Sequence, residues 1–212
     1  MNKENLGWAV SGALAMSLIF VVSTGFQEKA LKLGTVNVAK VFDDSEIRQK
    51  LDVEIREFGT ARENTFNFLA TYPMLPTADL KKFRELSLKL PQTDADKAEL
   101  ERLRKAGVTA DQKYRELQTK PNATDAEKTQ LATYQRNVQE NERYLGLTQQ
   151  EFSREITDRQ SKMRADTLLK VKAAISEISQ KQGYSIVFSD ETAPYAANDL
   201  TPEALKAINA KK

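Results

Sequence analysis

The fold is decided by TDAEKTQLATYQRNVQENERYLGLTQQEFSREITDRQSKMRADTLLKVKAAISEISQKQG, residues 124–183. From Thr124 to Gln182 this stretch holds one glycine, Gly146, no proline, and many good helix formers. Thr124-Asp-Ala-Glu127 has the spacing of a capping box, in which hydroxyl and carboxylate satisfy the exposed donors of a first helical turn. Lys181-Gln182-Gly183 closes it with a cation at the negative end and a glycine free to turn left-handed. A helix of this length reaches roughly 90 Å at about 1.5 Å per residue. The pattern predicts something long projecting from something small.

The apolar residues of this helix fall into columns. Leu131, Val138, Leu145 and Phe152 stand seven apart, and the companion column is read as Gln135, Glu142, Gln149, Ile156 and Met163. With half of the seam polar, the reading is a loose seam against returning helices rather than a tight two-stranded coiled coil. Leu168, Leu169, Val171, Ile175 and Ile178 thicken the apolar face toward the strand-like Ser185-Ile-Val-Phe-Ser189.

At the other end, Leu33 to Phe42 reads as a strand, with Val36 and Val38 alternating with Thr35 and Asn37. Asp43-Asp44-Ser45 then caps a helix whose Ile47, Leu51, Ile55 and Phe58 recur at helical spacing and which runs to about Thr71. Pro73 and Pro76 end it. Thr77, Thr93 and Thr124 are read as caps following Pro76, Pro91 and Pro121, and Ala106-Gly-Val-Thr109 as a further turn. Thr192 to Ala197 is a second extended segment, and Thr201-Pro202 opens a short C-terminal helix to Ile208. Strands at the two chain ends meet while the middle forms a hairpin. The fold class is therefore α+β and mostly helical, with a β body over 33–43 and 183–212. A helical arm over 44–182 is interrupted near 73–76, 91 and 121. So few short strands bury too little surface alone, which predicts self-association at the sheet.

Two readings fit the uncharged stretch Leu6–Phe26. It is either a signal peptide, with small residues Ser23-Thr-Gly25 before Phe26, or an uncleaved N-terminal membrane anchor. Both place the bulk of the chain outside the cytoplasm, with membrane association through residues 1–26 in the second case.

Composition narrows the function classes. The 212 residues carry 29% charged and 8% aromatic side chains, with a mean hydropathy of -0.56, which suits solvated helices. A net charge of +2 argues against nucleic acid as a partner. With no Cys and no His, thiol nucleophiles, imidazole bases and Cys/His zinc sites are absent together. No catalytic, cofactor-binding or metal site is nominated. Gly7 to Gly12 has P-loop glycine spacing without the following Lys-Ser/Thr. Asp43-Asp44 and Asp94/Asp96 read as dipole-complementing helix starts rather than cation ligands.

Gly34-Thr-Val-Asn-Val-Ala-Lys-Val-Phe42, Gln182-Gly-Tyr-Ser-Ile-Val-Phe-Ser-Asp190 and Tyr195-Ala-Ala-Asn-Asp-Leu-Thr-Pro-Glu-Ala-Leu-Lys-Ala-Ile-Asn209 resemble the Skp/OmpH family of periplasmic chaperones. The resemblance implies a homotrimer with a small β body and three helical arms around a cavity that holds unfolded outer-membrane proteins without ATP. Val36, Val38, Val41, Phe42, Ile186 and Phe188 are then the residues of the trimer body. Phe66, Phe68, Leu69, Tyr72, Met74 and Leu75, clustered beside a proline turn, are candidate client contacts, with a local core under the turn as the other reading. Arg154, Arg159, Lys162 and Arg164 are candidates for anionic surfaces, against pairing with Glu151, Glu155 and Asp158 on the same helix. Pro194 and the prolines at 73, 76, 91 and 121 depart from the family pattern. A membrane-anchored coiled-coil scaffold of the envelope is the alternative function.

Overall fold

The computed structural model describes residues 31–193 and 197–210. The apolar segment over 1–26 lies outside them, as does Pro194 in the second extended segment. The elements are β1 (Leu33–Val36), α1 (Val38–Asp43), α2 (Glu46–Thr71), α3 (Thr77–Leu88), α4 (Asp94–Thr119), α5 (Asp125–Lys181), β2 (Ile186–Ser189) and α6 (Thr201–Asn209). The chain divides into two compact units, one built from the residues up to Asp44 with Lys170 onward, the other Ser45–Leu169. It is a mostly helical α+β chain.

In the first unit β1 and β2 pair in parallel, with Leu33 opposite Ile186 and Thr35 opposite Phe188. A parallel pair needs a long crossover, and everything between the strands supplies it. The other edge of β1 is covered by residues 198–200: Thr35 N–H donates to the Asn198 carbonyl and Leu200 N–H to the Thr35 carbonyl, both at 2.8 Å. The expected strand over 33–42 is corrected here, because it stops at Val36. The Asn37 side chain accepts from Lys40 N–H at 2.6 Å and so caps a helix where the alternation of valines suggested more strand. Val41 and Phe42 of α1 are buried, as are Val36, Val171, Ala174, Leu200, Ala204 and Ile208 of the same unit.

Helix α5 ends as its sequence directs. Gly183 has φ of 71°, Tyr184 N–H reaches the Ser179 carbonyl at 2.9 Å and Gly183 N–H the Gln180 carbonyl at 3.1 Å, the paired bonds of a glycine-terminated helix. The start of α6 differs by one residue from the expected Thr201 cap. Leu200 holds the cap position, and Thr201 N–H and hydroxyl both donate to Asp199 Oδ1.

The second unit packs its own apolar core from Leu69, Met74, Leu75, Leu80, Phe83, Leu86, Leu100, Leu103 and Ala110, with Tyr134, Val138, Tyr144 and Leu145 of α5 against it. Two expectations change here. Thr77 is no cap: its hydroxyl donates to Asn141 Oδ1 at 2.7 Å, and Pro76 holds the cap position. Ala106–Thr109 is no turn but the middle of α4. Gly107 serves contact there, since a Cβ at this position would lie 2.9 Å from the Tyr72 ring.

Among the described residues the three helical glycines differ in what a side chain would meet. At Gly59 and Gly146 an added Cβ meets nothing within 4 Å. Gly59→Ala and Gly146→Ala are each expected to raise unfolding free energy by about 0.5–1 kcal/mol through helix propensity. Gly107→Val is expected to lower it by about 1–3 kcal/mol, because the ring must move out of a packed site. Urea unfolding of the three variants checks the opposite signs.

Candidate functional site

The side chains that satisfy their neighbours must be separated from those left open. In the column Leu131, Val138, Leu145 and Phe152 of α5, the first three are half-buried and Phe152 is buried. The companion column is corrected by one position in its first three members, while Ile156 and Met163 are half-buried. Gln135, Glu142 and Gln149 are exposed, and Tyr134, Asn141, Thr148 and Glu155 face the neighbouring helices instead.

Asn141, with no exposed surface, is the centre of this face. Its Nδ2 donates to the Pro73 and Leu75 carbonyls, both at 2.8 Å, and Asn137 Nδ2 donates to the Met74 carbonyl at 2.9 Å. A proline turn leaves backbone acceptors without helical partners, and two asparagines one turn apart on α5 supply the donors. Sequence reasoning missed both, since an asparagine inside a helix reads as surface.

That clamp decides the candidate client contacts. Leu69, Met74 and Leu75 are at most 4% exposed, and Phe68 stacks on Phe83 with ring centroids 3.6 Å apart. Tyr72 packs against the same core and Phe66 is half-buried. The contact reading is corrected for the buried residues: the cluster beside the turn is a local core, closed by α3 and α4.

The basic candidates are mostly engaged. Arg159 pairs with Glu54 of α2 at 2.6 Å and lies over the Phe58 ring at 5.2 Å, and Arg154 reaches Asp158 at 3.6 Å. Arg164 is not free either, and Lys162 is exposed. Glu151 and Glu155 do not serve this cluster. They pair across the seam, Glu155 with Arg62 at 2.6 Å and Glu151 with Arg84 at 2.9 Å. The Arg84 guanidinium beside Glu151 holds that carboxyl below its ordinary value.

Two capping boxes carry the most displaced carboxyls. Lys120 and the Thr124 N–H hold Glu127 down to about 2, from 4.5. Lys89 and Thr93 hold Asp96 well below the usual carboxylate range. A depressed carboxyl stabilises the fold while it is charged. This contribution is therefore complete above about pH 4.5 and is lost as pH falls toward 2. Glu127→Gln is expected to flatten the fall of the urea midpoint across that window and to leave its shape at neutral pH unchanged.

What stays open is part of one face of the small sheet, around the buried Thr35. In a parallel pair opposed residues share a face, so Leu33, Thr35, Ile186 and Phe188 lie together. Leu33 is 42%, Ile186 46% and Phe188 36% exposed. The six proposed body residues thus separate. Val36, Val41 and Phe42 are buried in this chain's own core, Val38 is half-buried, and Ile186 and Phe188 are open. Among the described residues no group of acidic side chains is arranged to hold a metal ion, and no helix is long and apolar enough to cross a membrane.

The sequence of the chain matches a known family model. The model described as outer membrane protein (OmpH-like) matches residues 79–208. The chain belongs to the OmpH-like family. The match takes in α4, α5, β2 and most of α3 and α6, and β1 lies before it. OmpH-like membership carries a chaperone-type role associated with outer-membrane proteins. No curated protein matches the chain.

Proposed function

We propose that this OmpH-like chain is an ATP-independent holdase that keeps unfolded outer-membrane proteins soluble in the periplasm, working as a homotrimer. The family match over residues 79–208 carries the reading. The open face of Leu33, Ile186 and Phe188 supports self-association, because adjacent large apolar residues on a small sheet gain most by covering one another. The helices offer clients surfaces of mixed charge rather than one deep pocket. Many weak contacts, repeated on linked copies, give useful avidity and allow release without nucleotide hydrolysis. No step in this mechanism needs a nucleophile or a cofactor.

The test is dilution of a urea-unfolded β-barrel protein into buffer with and without the chain, followed by turbidity. Suppression at stoichiometric chain, unchanged by ATP, is the expected result. A chain that self-associates and leaves the client to aggregate is a scaffold.

A further inference from the structure

Helices α2, α3 and α4 line a cavity of about 250 Å³. Phe83 and Leu100, each 3% exposed, form its apolar floor. The neighbouring Thr65 hydroxyl is already donated to the Ala61 carbonyl at 2.8 Å. The Ser87 hydroxyl, also lining the cavity, is buried and has no hydrogen-bond partner among the described residues. Lys97 and Arg104 stand at the rim, and no carboxylate is among the lining residues. Arg104 lies over the Phe83 ring at 5.7 Å and approaches Glu101 only to 4.0 Å. Lys97 meets the exposed Asp94 at 3.1 Å.

Two cations above an aromatic floor recognise a single negative charge attached to an apolar body. Charge-assisted bonds from a guanidinium and an ammonium are stronger than neutral ones, and the floor removes the attached group from water. The volume suits one aromatic or large aliphatic residue rather than a chain of several.

We infer that this cavity binds a carboxylate carried on an apolar group of about ring size, as found at the C-terminal residue of a polypeptide or in a free aromatic acid. The polypeptide source rests on the chaperone reading, and the recognition chemistry does not.

The experiment titrates the whole chain with three probes, followed by calorimetry: N-acetyl-phenylalanine, a short peptide ending in Phe with a free carboxylate, and that peptide as its C-terminal amide. The acid peptide is expected to bind about tenfold or more tightly than the amide. Lys97→Gln and Arg104→Gln are each expected to weaken acid binding by a similar factor with thermal unfolding unchanged, and Ser87→Ala by less. Tighter binding of the peptide than of N-acetyl-phenylalanine supports the polypeptide source, and equal binding supports a site for the free acid. Equal affinity for acid and amide, no binding of either acid, or variants that bind as the parent does would overturn the inference. Suppression of client turbidity alongside any of those results leaves the chaperone reading standing. Acid-selective binding without suppression removes that reading and keeps the cavity's assignment.

Discussion

Asn141→Asp is expected to lower the unfolding free energy by about 3 kcal/mol, about two orders of magnitude in the folding equilibrium. The substitution keeps shape and removes both donors. The Pro73 and Leu75 carbonyls, each 2.8 Å from Nδ2, lose their partner beside a side chain that has no exposed surface. Each bond is worth about 1 kcal/mol net, and an acceptor left buried without a donor costs about 1–3 kcal/mol. The new carboxylate also stands against the two carbonyls, so the loss grows as pH rises. Asn141→Ala removes the same donors and also Thr77's acceptor, without adding charge. Asn137→Ala gives up one bond at a half-buried position and is expected to cost about 1 kcal/mol. Urea unfolding read by circular dichroism orders the three. An Asn141→Asp midpoint close to the parent's would mean that the turn is held by its apolar side chains alone.

The second large effect concerns association. Ile186→Glu with Phe188→Glu is expected to abolish the proposed self-association while leaving the helical circular dichroism intact. Burying an Ile or Phe side chain contributes about 1.5–3 kcal/mol, and every copy in a closed assembly contributes both. Replacing them with charges reverses the sign, since a charge taken from water without a partner costs far more than apolar burial contributes. Both residues are partly exposed within one chain, so the fold of the chain does not depend on them. Val41→Asp is the contrast: Val41 has no exposed surface, and that change is expected to unfold the β unit itself. Light scattering separates the two outcomes from one another.

What the sequence made legible is what depends on neighbours along the chain. The Thr124/Glu127 box forms as its spacing predicts, and Thr93, read as a cap, closes a second box with Asp96, because both partners lie in one turn. The Gly183 terminus and the length of α5 are local in the same sense. The misreadings need a distant partner to resolve. Val36-Asn-Val38 alternates like a strand, but Asn37 also bonds Asp190 and Thr201, more than 150 residues away, and the chain turns there into α1. Ala106-Gly-Val-Thr109 has the composition of a turn, and only the Tyr72 ring explains why a helix keeps a glycine at that point. The inner column of α5 is displaced by one position because Asn141 and Thr148 occupy buried sites that an apolar pattern assigns elsewhere. Whether Leu69, Met74 and Leu75 are surface or core turns on α3 and α4, whose packing no local window contains.

The proposed assembly, a trimer of chains whose OmpH-like helices hold an unfolded client, has a mass that can be read directly. The chain expressed from Phe26 is weighed by light scattering without ATP, alone and mixed with a urea-unfolded β-barrel protein. A trimer is expected alone, and a soluble complex of trimer with client in the mixture. A monomer that leaves the client to precipitate would contradict both the assembly and the holdase activity.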